Sequence, residues 1–562
     1  MTTRSTWLSA SLISIAIAGG GAACGGPPAR PPADKATLIF VGGDVVTNNP
    51  EQPRVTGLAL RGNRVLAVGD DAAVRALAGP DTRVVELAGR TVTPGLVDGH
   101  CHLYGMGTAA ELVNLKGTAS EQAAADVAKA AAAGRPPGEW LLGRGWDQNP
   151  WGGEFPTRAS LDAALGERPA ALRRVDGHAM WVNTAALAIA GITKATPDPA
   201  GGKIVRDPSG EATGVLVDAA MDLVDKHVPA ASREARERRI RAAAELAVSV
   251  GLTGVHEMGI DDETVAVYRQ LAAAGELPLR VNAYLEGSPA IARSLAEREV
   301  EPDDGDAYFA LAGMKLFADG ALGSRGAALA ADYTDDAGNR GLWVTEPAVL
   351  RDAVVAASSA GWQVATHAIG DAAVAATLDA YEAAQAQQQG TDLRLRVEHA
   401  QVMTAADIER LARLGVIASM QPTHATSDMP WAEARLGPER IKGAYAWRSV
   451  LSAGGLIVAG SDFPVEEVSP MFGLYAAVTR QDPKGSPAGG WYPAQRMTLD
   501  EAIFAFTAAP AVAGFVDEHR GRLVPGFVAD VTVFERALAP DASLLDTGVT
   551  MTVVGGEIVF ER

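Results

Sequence analysis

His100 and His102 stand two residues apart at the end of the run Thr93-Pro-Gly-Leu-Val-Asp-Gly-His-Cys-His102. In a β-strand that spacing turns both imidazoles to one face and Cys101 to the other. Two neutral imidazoles converging from one strand end suit a zinc-type divalent ion. A bare His-x-His also occurs as a plain surface pair, so the rest of the chain has to decide. Four more polar residues close apolar runs: Lys315 in Gly313-Met-Lys-Leu-Phe-Ala-Asp-Gly320, His367 in Val364-Ala-Thr-His367, His399 in Leu395-Arg-Val-Glu-His399, and Asp462 in Val458-Ala-Gly-Ser-Asp462. A lysine on an apolar inner strand is costly unless paired, and desolvation lowers its pKa and exposes a nucleophilic amine. Reaction with CO₂ would turn that amine into a carbamate, an anionic two-oxygen ligand able to bridge two metals.

These residues need strands to carry them. From about residue 251, apolar runs alternate with amphipathic helices at a spacing of roughly thirty residues, the rhythm of βα units. The predicted strands are Gly254–Glu257, Leu279–Tyr284, Leu311–Phe317, Gln363–His367, Leu393–His399, Val416–Gln421 and Leu456–Asp462, preceded by the one ending at His100–His102. Eight parallel strands with helices between them give a TIM barrel, whose active sites are assembled from C-terminal strand ends. Thr498 and Glu501 form a capping-box signal for one helix. Between His102 and Gly251 lies a stretch of about 150 residues, several times a normal βα connection. It reads as an insertion on the active face. Residues 37–93 and 530–560 instead read as short strands with tight turns, too small alone to bury a core, so the two chain ends are expected to pair. The fold class is therefore α/β: a TIM (β/α)8 barrel with a small discontinuous β-sandwich domain from both chain ends and a large insertion after the first barrel strand. The expected boundaries are a signal peptide at 1–23, a tether at 24–35, β-domain at 36–93 and 521–562, and the barrel at 94–520 with its insertion at about 104–250.

The composition is globular, with 48% hydrophobic and 21% charged residues, and the net charge of −19 with no long basic run argues against a nucleic-acid partner. The cluster Arg233, Arg236, Arg238, Arg239 and Arg241 alternates with Glu234 and Glu237 and reads as a solvated helix face. Arg4, the apolar run Trp7–Ala18, small residues to Ala23 and then Cys24 resemble a bacterial lipoprotein signal, with Gly21 where Leu is usual. The expected address is an exported lipoprotein, periplasmic or cell-surface, touching the membrane only through lipid on Cys24; cleavage after Ala23 without lipid is the alternative. Labelling with a radioactive fatty acid is expected to disappear in Cys24→Ala, and equal labelling of that variant would contradict the anchor. Cys101, left without a disulfide partner, reads as a buried small hydrophobe.

Polar and glycine-rich motifs extend beyond the strand ends. It includes Pro94-Gly-Leu-Val-Asp-Gly-His-Cys-His102, Gly143-Arg-Gly-Trp-Asp147, Lys315-Leu-Phe-Ala-Asp-Gly-Ala-Leu-Gly-Ser324, Thr366-His-Ala-Ile-Gly-Asp371, Glu398-His-Ala-Gln401 and Gln421-Pro-Thr-His424. In this order the residues resemble the amidohydrolase superfamily of metal-dependent hydrolases over nearly all of the mature chain, and within it the branch containing N-substituted formamide deformylases. The resemblance implies two divalent ions, Zn²⁺ first. His100 and His102 would hold one and His367 and His399 the other, with a CO₂-derived carbamate on Lys315 between them and Asp462 as ligand and proton shuttle. A plain Lys315 with a single metal is the alternative. His178, His256, His424, Trp146 and Asp147 are the candidates for lining the substrate pocket, each with a structural role as its rival. The implied activity is hydrolysis of a carbon–nitrogen bond in a small amide or N-substituted formamide. A deaminase or cyclic-amide hydrolase on the same barrel and a non-catalytic binding lipoprotein are the competing readings. Oligomeric state is left open, with a homodimer among the options.

Overall fold

The computed structural model describes residues 35–562 apart from 137, 175–178, 200–201, 219 and 324. The signal, Cys24, nearly all of the tether and His178 lie outside the described residues. Eight strands pair side by side in parallel: β1 (Leu96–Cys101), β2 (Leu252–Ile260), β3 (Arg280–Glu286), β4 (Phe309–Phe317), β5 (Gln363–Ala368), β6 (Arg396–His399), β7 (Ile417–Met420) and β8 (Ile457–Ala459). Their spatial order is their chain order. The turn after β8 then returns to β1, where Asp462 N–H donates to His100 O and His102 N–H donates to Phe463 O, both at 2.8 Å. This is the expected TIM barrel. The outer helices follow ordinary rules. Helix Ala405–Leu414 starts where the Thr404 hydroxyl accepts the Asp407 N–H, buries Ile408 and Leu411, and stops at Gly415 in the left-handed region. The Thr498–Glu501 capping box is formed.

The chain ends meet in a six-stranded sheet that joins Asp44–Val46, Arg54–Val55 and Thr91–Pro94 to Val531–Phe534, Val549–Val554 and Glu557–Glu561. The junction is antiparallel, with Val531 opposite Pro94 and Val533 opposite Val92. A second sheet of Leu38–Val41, Gly57–Arg61, Arg64–Gly69 and Arg83–Glu86 shares its core, where Phe40 and Leu58 pack with Val92, Val531 and Val553.

The insertion carries a six-stranded sheet with a core of its own, including Leu141, Leu161, Leu172, Trp146 and Trp181. Trp146 is fully buried, donates its indole N–H to Leu172 O at 2.7 Å, and has the rings of Trp151 and Trp181 each 6.2 Å away. The substrate-lining role expected of Trp146 is therefore corrected: packing consumes its whole surface. Trp146→Ala is expected to destabilise the insertion by about 3–5 kcal/mol. Thermal unfolding checks this, with metal content unchanged.

Candidate metal centre

The site is built from strand ends whose polar side chains face the barrel axis. At the end of β1, His100 Nδ1 lies 2.5 Å from Glu398 Oε2. Glu398 in turn accepts from Arg396 Nε at 2.8 Å, and all three side chains are fully buried. A carboxylate against Nδ1 fixes the proton there and leaves the Nε2 lone pair free. His102 repeats the device with Met258 O, 2.9 Å from its Nδ1, and His399 with Gln421 Oε1 at 2.8 Å. Three imidazoles thus commit Nδ1 to the protein and keep Nε2 for the cavity.

Asp462 is where they converge. Its carboxylate Oδ1 lies 3.2 Å from His102 Nε2 and 3.6 Å from His100 Nε2, and its Oδ2 lies 3.8 Å from His424 Nε2. With the protons of His100 and His102 at Nδ1, their two approaches to Oδ1 bring lone pairs towards lone pairs. Asp462 Oδ1 and His424 Nε2 are buried with no hydrogen-bond partner, a cost that a cation between them removes. The ligand atoms of His100, His102 and Asp462 lie within 4.8 Å of one another, as do those of His399, His424 and Asp462. Each set offers nitrogen and carboxylate donors, the chemistry of a divalent site. The residues fit the ion.

The electrostatics agree. Burial, reinforced by Lys315, pushes His100 down to about 4 and His367 down to about 3, and burial takes His399 well below its usual value, so all three stay neutral donors. At His102 burial acts downward but the Asp462 carboxylate outweighs it, and the pKa rises. That point draws positive charge. Lys315 is buried, and its pKa is lowered by desolvation. Its Nζ lies 3.4 Å from His100 Nε2 and 5.0 Å above the Phe317 ring.

His367 stands beside His399, with ring centres 4.6 Å apart, and its Nε2 faces Gly320 O at 3.5 Å. His424, from the helix Pro422–Asp428, stacks on His399 at 5.9 Å. These residues line a cavity of about 440 Å³ together with Lys315, Phe317 and Trp431. Two expected pocket residues do not reach it. His256 sits mid-strand, because β2 continues to Ile260, and its Nδ1 meets Arg396 Nη1 at 2.6 Å deep in the barrel. Asp147 pairs with Arg174 at 3.0 Å in the insertion and is not among the residues lining the cavity. Both assignments are corrected.

Glu398, Arg396, Gln421 and Asp98 support the site although none stood among the candidate residues. Asp98 accepts the Ser461 hydroxyl at 2.6 Å and the His100 N–H at 3.1 Å, tying β1 to the turn that bears Asp462. The available signal was adjacency: each lies within two residues of a marked histidine or inside its motif.

The sequence profile of the amidohydrolase family matches residues 83–560. The chain belongs to the amidohydrolase family. It is 35% identical over 95% of its length to the protein Long after far-red 3 of Arabidopsis thaliana, covering 93% of that protein. It is 30% identical to an N-substituted formamide deformylase of Arthrobacter pascens, over 93% of this chain and 98% of that one. A crystal structure of an uncharacterized metal-dependent hydrolase from Pyrococcus furiosus superposes with a TM-score of 0.75 at 28% identity, covering 89% of this chain and 99% of that one. As an amidohydrolase the protein is a metal-dependent enzyme acting on carbon–nitrogen bonds.

Proposed function

We propose that this amidohydrolase cleaves the carbon–nitrogen bond of a small amide, with an N-substituted formamide as the first substrate to try. The observation that carries the reading is the convergence of committed imidazoles on the partnerless Asp462 Oδ1. His100, His102 and Asp462 would hold one ion, zinc first, and His399 with the neighbouring His367 the second, with Lys315 carboxylated between them. Bound divalent ions lower the pKa of water towards about 7 and polarise a carbonyl. The protein's own part is positional. Asp462 takes a proton from the attacking water at its carboxylate and returns it to the leaving nitrogen. Glu398, Met258 O and Gln421 hold the three imidazole rings so that none turns its N–H into the cavity. His424, beside Asp462 Oδ2, faces the substrate. Apolar Phe317, Leu322 and Trp431 exclude bulk water from one side.

The test is a turnover screen of amides, N-substituted formamides and cyclic ureides on purified protein, with metal measured in parallel. Release of formate and amine with about two divalent ions per chain is the expected result. Turnover confined to cyclic ureides, or deamination alone, would replace the reading.

A further inference from the structure

We propose that the cavity beside the histidines selects an amide whose body is apolar and whose far end carries a protonated amine; this rests on the hydrolase reading above. One wall of the cavity bears Asp428, from the helix Pro422–Asp428, and Glu466, from the loop after β8. Asp428 Oδ2 accepts from Tyr445 Oη at 2.7 Å and from Gln401 Nε2 at 2.8 Å, which anchors the carboxylate. Its Oδ1 has no hydrogen bond among the described residues. Glu466 Oε1 accepts the Ser427 hydroxyl at 2.5 Å, and its Oε2 is likewise unengaged. Neither carboxylate pairs with a lysine or arginine among the described residues; the imidazole facing them is His424, whose Nε2 lies 4.0 Å from Glu466 Oε1, and Lys315 is the one lysine or arginine among the described residues lining the cavity.

The other side is apolar. Phe317, Leu322 and Trp431 face the same space, and Val465, which also lines it, is 67% exposed. Gly323 holds its loop against the indole: a Cβ there would come 3.2 Å from the Trp431 ring. Pockets of this kind are mostly apolar, with a few polar groups that set orientation.

The two walls together define the ligand. A neutral ligand filling the cavity would strip water from the unengaged oxygens, Asp428 Oδ1 and Glu466 Oε2, and give neither a donor. An anionic end set against them would be repelled. An ammonium supplies donors to both unengaged oxygens. The net charge of −19 also attracts cations from solution.

The test uses the metal-loaded enzyme and two N-substituted formamides of equal length, one ending in an ammonium and the other in a methyl group. Steady-state turnover and calorimetric binding are both read. The ammonium compound is expected to be favoured by roughly tenfold or more, the scale of one charge-assisted hydrogen bond, and less so as salt rises. Asp428→Asn and Glu466→Gln should each bring the ratio towards one. Equal values for the two compounds in the wild type, or a preference that survives in both variants, overturns the proposal. If neither formamide is hydrolysed, the formamide reading falls but calorimetry still decides. Tighter binding of the ammonium compound, lost in the variants, supports the cation site, and its absence overturns it.

Discussion

Asp462→Asn is expected to lower turnover by about 10²–10⁴-fold, the usual contribution of a general acid–base group, while much of the metal stays bound. The asparagine keeps the shape and one oxygen ligand but has no basic oxygen to take a proton. It also keeps the backbone. Asp462 sits at φ +60, in the left-handed region, which asparagine tolerates better than most residues. The Asp462 N–H bond to His100 O would survive, so β1 and the turn after β8 stay joined. Turnover against pH, with metal analysis on the same samples, makes the measurement. Near-normal turnover across neutral pH would remove Asp462 from the mechanism.

Lys315→Ala is expected to lose metal and activity together, and added short carboxylates such as acetate should restore part of both. The side chain is buried, with its amine 3.4 Å from His100 Nε2. Truncation there opens a space beside the imidazoles that a small carboxylate can fill, supplying two oxygens where the carbamate would have done so. The far-ultraviolet spectrum and melting temperature separate loss of metal from loss of fold. A variant with full metal and full activity would rule out the bridging carbamate.

Eight strand positions were legible because each carried an apolar run between helices, and five of them carried, at or near the end, a histidine, lysine or aspartate marked by its chemistry. What the pattern could not give was depth along a strand. His256 looked terminal because Glu257 seemed to end its run, yet β2 continues through Met258 to Ile260. Strict alternation failed at a second point. Glu398 and His399 are neighbours and should face opposite ways, but His399 has φ +73 and turns its ring into the site beside His367. Periodicity carries no information about such a twist. Arg396 and Glu398 were visible as charges in a buried strand, and only the structure shows that they hold the His100 tautomer. Trp146 could have gone either way from composition alone, and its packing with the bond to Leu172 O decided it.

The antiparallel seam between Thr91–Pro94 and Val531–Phe534 governs how the molecule can be assembled. During synthesis, residues 38–94 emerge early and wait while more than four hundred others are made before Val531 arrives to complete their sheet. Until then they present open strand edges, the state most exposed to wrong pairing. Closing so long a loop is slow, because its entropy must be met before any contact rewards it. A truncation before Val531 would thus leave a chain in which all eight barrel strands have been made, yet the strand leading directly into β1 and its two histidines stays unpaired on the side facing 531–534.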